Sequence, residues 1–145
     1  MDIKLQISKD LDYIVSIRLD SYLNNSLIGK YFLYIDRYTL LETKLRQIVQ
    51  EIFKNNPDLL KNKNFRQLVD LLKDHKEYSE LFQKLTIAVD YKNKIHEIFW
   101  VDKIISKSMG QTITNIDEKH LNDAIYELEH VLILCEWSFI KISLL

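Results

Sequence analysis

The chain has 145 residues, 47% hydrophobic and 28% charged, enough for one domain that buries roughly two-thirds or more of its unfolded surface and too apolar for general disorder. Its formal net charge of −1 excludes a strongly basic nucleic-acid sponge but permits a local basic groove. Cys135 is the only cysteine, which excludes an intramolecular disulfide and multi-cysteine zinc sites; within Val131-Leu132-Ile133-Leu134-Cys135 it reads as a small buried side chain.

Two glycines and one proline leave few tight turns and favour a small number of long helices. Ile3, Leu5 and Ile7 alternate with Asp2, Lys4 and Gln6, a pattern shared by a short strand and by the first turn of a helix. From Ser8 the spacing is helical through Leu11, Ile14, Val15, Leu19, Tyr22 and Leu23, with Asn24-Asn25 and Gly29 at its end. A second helix is predicted from about Tyr31 to Lys54, on the stripe Ile35, Tyr38, Leu41, Leu45, Ile48, Val49 and Ile52. Pro57 stops it, because proline disfavours helical geometry in the residue before it. A shorter helix follows, with Phe65, Leu68, Val69 and Leu72 on one side and Asn64 as its cap.

Another helix begins near Ser79 and carries Leu81, Phe82, Leu85, Ala88, Val89, Ile95, Ile98 and Phe99. Past Trp100 the texture is β-like: Val101, Ile104 and Ile105, then Met109-Gly110, then Thr112-Ile113-Thr114. Gly110 stands where a turn needs one, so the pattern allows a small hairpin. Asp117 is placed to cap a last helix with the stripe Leu121, Ala124, Ile125, Leu128, Leu132, Cys135, Phe139 and Ile142. Together these elements predict an all-α fold: one domain over residues 1–145, an antiparallel bundle of four to five helices with room for the hairpin before the last.

No glycine-rich phosphate loop, nucleophile elbow or paired-histidine metal motif is present in the sequence, so neither metal nor cofactor is expected. The carboxylates of the last helix read as a solvated face. No cationic leader precedes an apolar run at the N-terminus, and no apolar segment approaches the ~20 residues of a membrane span. The expectation is a soluble, cytoplasmic protein with no membrane partner.

The richest stretch is Asp90-Tyr91-Lys92-Asn93-Lys94-Ile95-His96-Glu97-Ile98-Phe99-Trp100. On a helix, Lys92 and His96 share a face with Asn93 alongside. An ammonium beside an imidazole can grip a phosphate and move a proton; the same spacing also fits an ordinary solvated helix face. Basic residues further crowd Lys44, Arg46, Lys54, Lys61, Lys63 and Arg66, a region suited to a phosphate-bearing ligand or to the acidic last helix of another copy.

The order of elements resembles the HEPN superfamily, compact helical nucleotide-binding proteins of higher eukaryotes and prokaryotes, in the group that includes mannitol-repressor-like and abortive-infection-related members. The resemblance runs from Leu41-Glu42-Thr43-Lys44-Leu45 through Phe65-Arg66-Gln67-Leu68-Val69-Asp70-Leu71-Leu72, then Leu85 to Trp100, then the helix from Leu121. In that family an Arg-Asn pair precedes a histidine and often an aromatic residue; here Lys92-Asn93, His96 and Phe99-Trp100 are similar. Lys92 replaces the arginine, which keeps the charge but loses the planar fork, and fewer residues separate it from His96 than in active members. The resemblance implies a homodimer and two functions. One is a non-catalytic module that binds RNA or a protein partner as a regulator or a defence or toxin–antitoxin component. The other is a metal-independent ribonuclease using His96, Lys92 and Asn93 across the dimer interface. Lys92, Lys94, Lys44 and Arg46 are the expected RNA- or phosphate-binding residues.

Overall fold

Among the described residues the helical spacings resolve into α1 (Ile3–Asp20), α2 (Leu27–Ile52), α3 (Phe65–Asp70), α4 (Ser79–Ser108) and α5 (Glu118–Ser143), with short 3-10 turns at Pro57–Leu60 and Lys76–Tyr78. The computed structural model describes residues 3–108 and 118–143, with side chains over 10–99 and 118–143. The alternating Ile3–Ile7 segment belongs to α1. Helix α2 starts at Leu27, earlier than the stripe suggests, because the Ser26 hydroxyl accepts from the Gly29 N–H at 3.1 Å. A Cβ at Gly29 would stand 3.2 Å from the Ser26 Oγ, so the missing side chain gives the cap its room. Asn64 caps α3 as expected, and Gln67 reaches back to the Asn64 N–H at 2.9 Å, completing a capping box.

Helix α4 overturns the first half of the predicted hairpin: residues 101–108 continue the helix. Val101, Ile104 and Ile105 are β-branched, which suggested a strand, but they stand at i, i+3 and i+4, a helical spacing. The hairpin's second half, from Met109 to Thr114, and the cap at Asp117 lie outside the described residues.

The core gathers α5 against α2 and α4. Leu41, Leu45 and Ile48 meet Leu68, Leu72, Leu85, Ile95, Leu121, Ile125, Leu128 and Leu132, all fully or almost fully buried. Helix α3 closes one end against α2 and α4, and α1 makes its main packing against α5, through a smaller cluster of Leu11, Val15 and Ile133. Cys135 is fully buried. Contacts of Tyr31 with His96 and of Tyr38 with Lys92 run in opposite chain directions, so α2 and α4 are antiparallel.

Helices α2 and α5 run the same way and are laced by ion pairs. Lys30, Arg37 and Lys44, at heptad spacing, meet Glu118 at 3.0 Å, Glu129 at 2.7 Å and Glu136 at 3.4 Å. The carboxylates of α5 are therefore not all a solvated face. Glu129 is 1% exposed and takes both arms of the Arg37 guanidinium. Burial would lower the Arg37 pKa, but the hydrogen bonds and charge of Glu129 outweigh it and raise it. Among the described residues no helix is long and apolar enough to cross a membrane.

Candidate functional site

Helix α4 carries the site because its apolar face, at Leu85, Ala88, Val89 and Ile95, is pinned in the core. Positions 92, 93 and 96 are thereby turned toward the seam with α2. Lys92 is half-buried and its ammonium stands 5.4 Å from the centre of the Tyr38 ring on α2, within cation–π range. Lys92 and Asn93 open into a cleft of about 410 Å³ whose other walls are Tyr38, Glu42, Asn64, Phe65 and Arg66. The cleft therefore joins three elements: α2, the capped start of α3, and α4.

Its chemistry favours an anion. Lys92 and Arg66 bring positive charge, Asn64 and Asn93 bring amides, and the Tyr38 hydroxyl stays a neutral group. Burial raises the Tyr38 pKa, Glu42 adds to the rise and Arg66 opposes it. Glu42 is the acid in the lining. Arg66 is half-exposed, and its Nε lies 3.8 Å from Asp70 Oδ1. So loose an exposed pair is worth little, which leaves the guanidinium fork available for a bidentate contact.

His96 stands one turn beyond Lys92 on the same face, exposed to solvent. Its Nδ1 lies 3.4 Å from the Tyr31 hydroxyl, near the outer limit of a hydrogen bond. Burial raises the Tyr31 pKa, so the phenol keeps its proton and donates when the imidazole carries its own proton on Nε2. Tyr31 in turn stacks on Phe99, with ring centres 3.8 Å apart and planes 6° from parallel.

The structure brings together only part of the residue set expected from the sequence. Lys92, Asn93 and His96 line one stripe. Lys94 is two positions from Lys92, about 200° around the helix, and lies with Asp90, Tyr91, His120 and Asp123. Lys44 is turned toward α5, in its ion pair with Glu136. Arg46 donates to the Lys63 carbonyl at 3.4 Å and lies beside Glu42 on the α2 surface. Arg66 stood in the basic stretch of the sequence but was not among the expected site residues. Its entry into the cleft follows from the packing of α3 against α2 and α4, which a one-dimensional pattern does not carry. Tyr38 was likewise legible only as a core position.

Among the described residues no group of three or more His, Cys, Asp or Glu side chains is gathered to hold a metal ion. Searches of protein-family models, of curated proteins and of solved structures find no match to this chain.

Proposed function

We propose that the protein is a HEPN-like module that binds RNA through the cleft beside α4 without cutting it, as a cytoplasmic regulator or a component of a defence or toxin–antitoxin system. The observation that carries this reading is the shared cleft of Lys92, Asn93 and Arg66. A phosphodiester offers two free oxygens, which suit a guanidinium fork on one wall and an ammonium with an amide on the other. Among the described residues the hydrogen-bond neighbour of His96 is Tyr31, not a carboxylate that would orient the ring as a base, and this favours binding over cleavage.

The test is a fluorescence-anisotropy titration of labelled single-stranded RNA at several salt concentrations. Lys92→Ala is expected to weaken binding about tenfold and to lower the salt slope by about one. A folded parent protein with no affinity for RNA at low salt ends this reading; a stable complex with another protein in its place moves the function to protein recognition. The exposure of His96 on the same stripe as Lys92 supports a second reading, a homodimeric, metal-independent ribonuclease in which each subunit contributes both groups. That reading requires RNA cleavage that survives a chelator and disappears in His96→Ala.

A further inference from the structure

The seam between α2 and α4 continues past Lys92 through the Tyr31 contacts with His96 and Phe99. Along α4, Lys92, His96 and Phe99 occupy i, i+4 and i+7, a single stripe spanning about 10 Å of helix. At the Lys92 end the seam opens into the cationic cleft. At the Phe99 end it is aromatic: Phe32, at the start of α2, is 57% exposed. Its ring stands edge-on to Tyr31 at 5.8 Å and 67°, and to Phe99 at 6.5 Å and 69°. The Tyr31–Phe99 stack therefore backs a solvent-facing ring, and the His96 imidazole stands at the Tyr31 hydroxyl.

We infer that this face is a two-part subsite for single-stranded RNA, with a phosphate held by Arg66 and Lys92 and a neighbouring base stacked on Phe32. The inference rests on the RNA-binding reading above and adds the element that the charge alone lacks. Phe32 packs on Phe99, about 10 Å along the α4 stripe from Lys92, so an occupant that reaches both ends is anionic at one and flat at the other. A nucleotide chain satisfies both demands, because every base has a face to stack and every linkage a charge to pair. Lys92 cannot perform the stacking role through Tyr38, since that ring is buried beneath its ammonium. The exposed platform is Phe32. The His96 imidazole, between the two subsites, then meets the sugar that joins phosphate to base.

The experiment compares the parent protein with Phe32→Ala, Phe32→Leu and Phe32→Trp, using fluorescein-labelled oligoadenylate as probe and inorganic polyphosphate as a base-free competitor. Stacking predicts that the Ala and Leu variants bind oligoadenylate about tenfold to a hundredfold more weakly, with unchanged salt slope and unchanged competition by polyphosphate. Phe32→Trp retains the affinity. Circular dichroism checks that each variant folds, as the exposure of Phe32 leads one to expect. If Phe32→Ala and Phe32→Leu bind as the parent does, the base subsite is wrong while the cationic reading stands. If the parent itself binds no RNA, the reading beneath the inference has failed. A Phe32→Ala chain that passes from dimer to monomer on light scattering assigns the face to a second copy and overturns the base subsite.

Discussion

At the scale of single residues, His130 on α5 shows how burial outweighs opposing charges in shaping a titration. The ring is 8% exposed, and its Nδ1 has no hydrogen-bond partner among the described residues. Burial, and then the charge of Lys84 on α4, lower its pKa from 6.5. Glu127 on its own helix, Asp12 on α1 and Glu80 on α4 pull the other way without reversing the shift. The sign of the linkage follows. Above pH about 6.5 the imidazole is neutral in both states and contributes no pH dependence. As the pH falls through that value the unfolded chain takes up the proton first, so the folded state loses stability until the native ring also protonates. Urea unfolding midpoints measured between pH 8 and pH 5 should therefore fall with acidification. A His130→Gln variant should show a shallower fall over the same window, and an identical slope would remove His130 from the account.

At the scale of elements, α3 is too short to hold itself. A helix of six residues lies far below the ~12–15 at which isolated helices become even marginal in water. It persists because Leu68 and Val69 are buried and because Asn64 and Gln67 satisfy each other's backbone donors. Asn64→Ala should cost about 1 kcal/mol of stability. Since Arg66 sits in the turn so capped, it should also weaken RNA binding more than an equally destabilising change remote from the cleft. Denaturation paired with anisotropy separates the two effects. This cap was visible in the sequence, because asparagine before an apolar run is a local signal. The Ser26 cap was equally local, but the hydrophobic stripe, whose first residue is Ile35, drew the predicted boundary inward to Tyr31. The continuation of α4 through 101–108 was obscured by residue type: β-branched side chains favour strands, whereas their spacing was helical. In the site, the relation of Lys92 to His96 was legible because it lies within one helix. The parts played by Arg66, Tyr38 and Phe32 were not, because each comes from another segment and joins the seam only through tertiary packing.

At the scale of the whole molecule, attachment is unequal. Helix α5 is the hub, packed against α1, α2 and α4. Its seam with α2 carries both deep apolar contacts and the ion pairs from Lys30–Glu118 to Lys44–Glu136. The Arg37–Glu129 pair within that seam is expensive to break, since loss of either partner strands a desolvated charge. Among its described side chains helix α1 has less to hold it: the small cluster around Leu11, Val15 and Ile133, and the Arg18–Glu136 contact at 2.9 Å, whose side chains are only partly buried. Its outward residues Tyr13 and Ile17 are 68% and 52% exposed. Local opening should thus begin there, because regions with few buried contacts separate at lower free energy than the core. Native-state hydrogen exchange should find α1 amides exchanging well before those of α2 and the middle of α5. Cys135 offers an independent clock. It is fully buried and its thiol is pushed up to about 12 by desolvation, so labelling it requires the α2–α5 seam to part. Thiol labelling should track the slowest amides rather than α1; α1 protection equal to that of α5, or labelling that keeps pace with α1, would mean that the five helices open as one unit.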